Sequence, residues 1–121
     1  MDLDFKILEN VDDYDLNILY NTCWAYVQLS IYEGFGIPLI EASRCAAACI
    51  LRDLEYSREV LGKIGYYIDG EINNNLQNLK KLEKSISVDN SNNTIIQSRV
   101  NKSFSYTKEN WDADITKIHF N

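Results

Sequence analysis

The amino-acid sequence predicts an α/β fold: a parallel sheet of three to four strands, joined by crossover helices and followed by a helical C-terminal tail. Three observations carry that reading. Through the first 70 residues, short apolar segments of strand type alternate with segments of helical period. That is the pattern of strands that pair in parallel through intervening helices. From Gly70 onward only helical periodicity remains, so residues 71–121 form the tail. One strand-type segment also leads through a glycine-bearing turn, "YEGFGIPLIEA" (Tyr32–Ala42), directly into a helix.

The elements follow in order. "FKIL" (Phe5–Leu8) is a short strand candidate. Asp12 or Asp13 caps a helix that carries Leu16, Leu19 and Tyr20 at helical spacing. "WAYVQLS" (Trp24–Ser30) is aromatic, β-branched and partly alternating, which predicts a strand. Pro38 suits the first turn of the next helix, where its missing N–H costs nothing, and "LIEASRCAA" continues that helix. "ACILRD" (Ala48–Asp53) predicts a buried strand, "SREVLG" a short helix closed by Gly62, and "GYYID" (Gly65–Asp69) a further strand. "EINNNLQNLKKLEKS" sets Ile72, Leu76, Leu79 and Leu82 on one helical face. The Asn- and Ser-rich stretch Asp89–Asn93 predicts a flexible loop, with a helix from about Asn92 to Lys102 beyond it. A last helix is expected over "SYTKENWDADITKIHF", with Trp111, Ile115 and Ile118 as its apolar stripe. There is no internal repeat and no interdomain linker, so residues 1–121 read as a single unit.

Composition narrows the function classes. A chain of 121 residues holds one domain at most. The apolar fraction of 45% and the charged fraction of 25% are those of an ordinary soluble globular protein. A net charge of −6 and a pI near 4.7 argue against nucleic acid or anionic membrane as partners held by a broad basic field. No apolar run reaches the roughly 20 residues of a membrane span. The N-terminus "MDLDFKILEN" is acidic and lacks the basic start of a signal peptide, so the cytoplasm is the expected location. Cys23, Cys45 and Cys49 show no C-x-x-C spacing, which points away from a disulfide scaffold or a zinc site. Cys45 and Cys49 are expected as buried free thiols. His119 stands alone near the C-terminus, and no metal is expected.

In an open parallel sheet, ligands bind beyond the carboxyl ends of the strands. "EGFG" falls at that position, after the strand Trp24–Ser30. Gly34 and Gly36 allow a sharp turn and close approach of backbone to a ligand, and Phe35 can pack beneath them. The helix that begins near Pro38 points free N–H groups and its positive dipole end at the same spot. A phosphate suits such a place. A carboxylate near a helix start, such as Glu41, is also favourable in its own right by about 0.3–1 kcal/mol, and Glu33 reads equally as a solvated loop residue. Taken alone, the residues are consistent with helix punctuation and with a ligand site.

The order of residues adds to this. "YEGFGIPLIEA" resembles the E-x7-E motif of the family-four retaining glycosyltransferases, which have two facing Rossmann-like domains (the GT-B fold). Glu33 and Glu41 stand eight positions apart, as that motif requires. "DDYDLNILYNTCWAYVQLS" is similar to the helix and strand that precede the motif, and "EASRCAAACI", "SREVLG" and "GYYID" to the elements that follow. "SFSYTKENW" (Ser103–Trp111) is similar to the Phe-Ser-Trp-Glu start of the family's C-terminal helix. The resemblance runs from about Leu8 to the end and is most specific over residues 32–42.

The resemblance implies roles. Glu33, the candidate catalytic residue, would hold hydroxyls of the donor sugar as a positioner and not as a nucleophile. The amides of Gly34, Phe35 and Gly36 would contact that sugar. The backbone near Ile37, Pro38 and Leu39 would line the approach to the diphosphate, with Pro38 offering shape alone. Glu41 would accept hydrogen bonds from the nucleotide ribose. The nucleotide-diphosphate sugar is implied as a substrate, with no resident cofactor and no metal.

The sequence also departs from the family pattern. Cys45-Ala46-Ala47-Ala48 stands where a Cys-Gly and a Pro are usual, Arg58 where a Pro often opens the short helix, and Arg44 where a small residue is usual. The resembled domain begins with two further strands and a loop that supplies an Arg and a Lys to the diphosphate. This chain is expected to begin after them and to lack the acceptor-binding domain. Lys63, Lys80 and Lys81 do not match those basic positions.

In the strand order 3-2-1-4-5-6, the chain would retain strands three to six. Trp24–Ser30 is then an edge, and the expected sheet has three strands, Trp24–Ser30, Ala48–Arg52 and Tyr66–Asp69, with Phe5–Leu8 poorly placed. A missing N-terminal half, a partner chain or a second copy would cover the exposed edge. The reading is the second half of a donor-binding domain of a retaining glycosyltransferase in glycan or cell-surface polysaccharide synthesis, inactive when isolated. The alternatives are a non-catalytic remnant that serves as an interaction module, and an unrelated small α/β domain.

Overall fold

In a computed structural model of the chain, residues 6–30, 37–69 and 76–110 are described. The expectations that fall on Phe5, on Glu33 to Gly36, on Ile72 and on residues 111–121 lie outside them. The element order is α1 (Asp13–Thr22), β1 (Ala25–Gln28), α2 (Ile37–Arg44), β2 (Ala48–Arg52), α3 (Glu55–Leu61), β3 (Tyr66–Ile68), α4 (Leu76–Asp89) and α5 (Asn93–Asn110). A single 3-10 turn, Gly62–Ile64, follows α3.

The sheet has three strands in the order β1-β2-β3, all parallel. Ala25 is opposite Ala48, and Ile50 is opposite Tyr66. These are the three strands the sequence predicts, each of β1 and β3 shorter at its ends. Lys6–Leu8 forms no strand, with Ile7 79% and Leu8 58% exposed, so the fourth candidate fails over its described part. Its apolar residues find no neighbouring strand to pair with. Among the described residues β1 pairs only with β2 and is therefore an edge.

Strand alternation builds the core. Cys49 and Leu51 of β2 point into a cluster with Tyr20 of α1, Leu39, Ile40 and Ala42 of α2, Val60 and Leu61 of α3, and Tyr106 of α5. Tyr20 meets Tyr26 of β1 edge-to-face, with ring centres 5.8 Å apart. Of the two candidate caps of α1, Asp12 is the one used: its Oδ1 accepts from the Asp15 amide at 2.8 Å. Gly62 ends α3 with φ +54°, a conformation that favours glycine. Arg58 lies inside α3 and not at its opening, and its amide donates to the Leu54 carbonyl at 3.1 Å. A proline there would lose that bond.

Three expectations for the tail need correction. α4 continues to Asp89, past the Ser85 where the helical pattern fades in sequence. The Asp89–Asn93 stretch is a tight, capped turn and not a flexible loop. Asn92 Oδ1 accepts from the Thr94 and Ile95 amides at 3.0 and 3.3 Å, which makes it the N-cap of α5. Asn90 Nδ2 donates to the Trp24 carbonyl at 3.1 Å, tying the turn to the start of β1. Finally, α5 runs unbroken from Asn93 to Asn110, so no new helix begins at Ser103. Ser103 Oγ donates to the Val100 carbonyl at 2.8 Å and Thr107 Oγ1 to the Ser103 carbonyl at 3.1 Å. The hydroxyls that suggest a helix start are turned back onto their own helix.

Candidate functional site

α2 leaves the carboxyl end of β1 and returns to the start of β2, which is parallel to β1. Its N-terminus therefore stands at the carboxyl edge of the sheet. Ile37 opens the helix half-buried, Pro38 follows and is exposed, and Leu39 is fully buried. Ile37 and Leu39 carry backbone N–H groups in this first turn, where a helix offers them no partner of its own, and Pro38 carries none. Glu41 lies one turn further on and is only 7% exposed. The structure thus brings Ile37, Pro38, Leu39 and Glu41 together on one short helix, while Glu33, Gly34, Phe35 and Gly36 are outside the described residues.

Glu41 sits against the packing of α1 on α2. Burial raises the Tyr20 hydroxyl pKa, and the charges of Tyr26 and Glu41 raise it further. Burial also pushes the Cys45 thiol up to about 11, with the Glu41 carboxylate adding to the effect. All three cysteines are free, Cys45 and Cys49 buried and Cys23 exposed, as the sequence suggests for the buried pair.

Two buried arginines hold the other end of α2. Arg44, 2% exposed, donates from Nη2 to Thr107 Oγ1 at 3.0 Å and from Nε to Ser103 Oγ at 3.4 Å. Its guanidinium lies 4.3 Å from the centre of the Phe104 ring. Arg99, also 2% exposed, donates to the Ala46 carbonyl at 3.1 Å, to Asn90 Oδ1 at 2.8 Å and to the Tyr66 hydroxyl at 3.0 Å. Tyr66 in turn donates to Asp89 Oδ2 at 2.6 Å. The sequence marks Arg44 as a departure from the family pattern but not its reach to α5. Arg99 carries no signal in sequence, because an arginine on a polar helix reads as solvated.

A cleft of about 360 Å³ opens at the carboxyl ends of β2 and β3. Asp53, Tyr67, Asp69, Lys81 and Ser85 are among its lining residues. The rule that ligands bind at the carboxyl ends of parallel strands could have found it. Arg58 grips the Asp53 carboxylate through two hydrogen bonds of 2.6 and 3.0 Å and holds its pKa below the ordinary range. Among the described residues no group of three or more His, Cys, Asp or Glu could hold a metal ion. No described helix is long and apolar enough to cross a membrane.

An open parallel sheet with crossover helices, and a short helix starting at its carboxyl edge, defines an α/β domain of the Rossmann-like class. The family model for glycosyl transferases group 1 matches residues 4–99, and the chain belongs to that family. It is 46% identical over 50 residues to a serotype-specific mannosyltransferase, WbdA, of Escherichia coli, covering 41% of this chain and 6% of that protein. It is 36% identical over 64 residues to the O-antigen chain mannosyltransferase B of Escherichia coli, covering 53% and 17%. It is 35% identical over 95 residues to the O-antigen chain mannosyltransferase RfbU of Salmonella typhimurium, covering 72% and 27%. The chain thus spans about a quarter or less of the length of these relatives. No solved structure gives a significant match.

Proposed function

We propose that the chain forms part of the donor-binding region of a retaining glycosyltransferase that acts in glycan or cell-surface polysaccharide synthesis. The donor class is a nucleotide-diphosphate sugar, taken as a substrate without a resident cofactor. Mannose is the proposed sugar, since the relatives are named as mannosyltransferases. The observation that supports this reading best is the placement of α2: its first turn stands at the carboxyl edge, with Glu41 one turn behind.

Each group has suitable chemistry. The amides of Ile37 and Leu39, with the positive end of the α2 dipole, would face the diphosphate and stabilise it as its charge grows on departure. Glu41 would accept hydrogen bonds from the ribose hydroxyls, as a carboxylate can from two donors. Glu33 would hold the sugar, with Gly34, Phe35 and Gly36 against it. The isolated chain would transfer negligibly, because holding two reactants in register supplies on the order of 7–11 kcal/mol in favourable cases and an acceptor site is assigned to no residue here. The proposed location is the cytoplasm.

A titration of the chain with a panel of nucleoside diphosphates tests the reading. Saturable binding of one of them is expected, and binding of none would overturn it. A second reading, an interaction module, is favoured by the place of β1 at the end of the sheet among the described residues, with Val27 54% exposed.

A further inference from the structure

We propose that Arg44 is a positioning residue, which locks the donor-binding helix α2 onto α5 and so sets the geometry of the site. The inference rests on the donor-site reading for its functional consequence, and on the packing alone for the lock itself. α2 has only eight residues, from Ile37 to Arg44. A helix this short gains little stability of its own and is held in place by tertiary contacts. Leu39 and Ile40 seat its amino half in the core, and polar contacts at the carboxyl end fix its rotation on α5.

The contacts at that end are polar and buried. Ser43 Oγ donates to the Arg99 carbonyl at 2.8 Å, and both Ser43 and Ser103 are fully buried. Arg44 spans Ser103 and Thr107, one turn apart on α5, and lies over Phe104 between them. A planar guanidinium with donors at fixed angles, stacked on a ring, admits few orientations. An apolar contact of the same area would tolerate sliding, whereas a buried polar group that slips loses its partners at full cost.

Glu41 and Arg44 are three apart on the helix, so whatever fixes Arg44 fixes the turn that bears Glu41. Ser103, Phe104 and Thr107 all lie beyond residues 4–99, the stretch that matches the family model. The lock therefore joins a helix inside the family match to a segment outside it.

The test compares the wild-type chain with Arg44→Met and Arg44→Lys, by amide hydrogen exchange and by titration with GDP and UDP. In Arg44→Met, the α2 amides of Ile40 to Arg44 are expected to exchange at least tenfold faster, while those of Leu51 and Arg52 in β2 stay within twofold of wild type. The dissociation constant of whichever diphosphate binds is expected to rise at least tenfold. Arg44→Lys keeps the buried cation but neither the two-nitrogen reach to Ser103 and Thr107 nor the stacking on Phe104. It is expected to recover little of either effect, and full recovery by lysine would overturn the claim that guanidinium geometry makes the lock. Unchanged exchange in α2 would overturn the proposal. So would equal acceleration in α2 and β2, since Arg44 would then be a general stabiliser. If neither diphosphate binds the wild type while α2 alone loosens in Arg44→Met, the lock stands and the donor reading fails.

Discussion

The Nη1 atom of Arg99 donates to the carbonyl oxygen of Ala46 at 3.1 Å, and Ala46 holds a left-handed backbone with φ 68°. The two facts belong together. Ala46 is the residue that ends α2: its amide donates to the Ser43 carbonyl at 2.9 Å, and the Ala47 amide donates to the Ala42 carbonyl at 3.1 Å. This pair of bonds is the Schellman closure, which normally places glycine at the left-handed position. Here a Cβ occupies it, and Arg99 holds the strained peptide in place from α5.

Ala46→Gly is therefore expected to stabilise the protein. Relief of the left-handed Cβ contact is worth roughly 1 kcal/mol. Urea unfolding of the variant against wild type checks this. A lower midpoint in the glycine variant would show that the Ala46 methyl group contributes more by packing than it costs by strain.

Alkaline pH is expected to weaken the fold. Burial pushes the Cys49 thiol up to about 12, and burial with the Glu41 carboxylate pushes Cys45 up to about 11, against an ordinary value of 9.0. Both folded values are raised, so their contribution to stability is complete below pH 9. It is lost as pH rises from 9 through 11 and 12, because the unfolded chain gives up these protons first. Each unit of difference is worth about 1.4 kcal/mol. Buried Tyr20 adds to the loss above pH 10, in the same direction. Unfolding free energy measured from pH 8 to pH 11 should fall steadily, and Cys49→Ala should flatten the slope. A flat profile in wild type would show that these thiols are not buried in solution.

The edge of β1 is expected to drive self-association. β1 reads Ala-Tyr-Val-Gln, with neither charge nor proline to block pairing, and Val27 is 54% exposed while Trp24 just before it is 45% exposed. Sedimentation of the wild-type chain should show mass that rises with concentration. Val27→Lys should remain monomeric and lose less than about 0.5 kcal/mol of stability, as exposed substitutions do. A wild-type monomer at every concentration would contradict this.

The three strands and the helix after the glycine turn were legible because their signals are local. Apolar runs bounded by Gly and Asp read as strands, and Pro38 marks the α2 start directly. Of the acidic pair, spacing and the family resemblance supplied only an expectation; the structure describes Glu41 on α2, and Glu33 lies outside the described residues. The tail was read poorly for a physical reason. Asn90 and Asn92 are loop formers by propensity, yet here their amide groups bond Trp24, Arg99 and the first turn of α5. Ser103 and Thr107 look like surface or capping residues, yet they face Arg44 in the interior. The cap made by Asn92 is local, but the bonds of Asn90 to Trp24 and of Arg44 to Ser103 and Thr107 join residues 59 or more positions apart, and no local pattern encodes those. The replacement of glycine by Ala46 was visible in sequence, but its left-handed φ was not.

Glu41 gives the most direct measurement of the donor-site proposal. Nucleoside diphosphate affinity is to be compared between the wild-type chain and Glu41→Gln, with thermal unfolding of both as a control on folding. Losing a charged acceptor for two hydroxyls is worth about 1.5–3 kcal/mol, so affinity is expected to fall at least tenfold while the fold persists. Equal affinity in the two proteins, with both folded, would contradict the assignment of this helix to the donor.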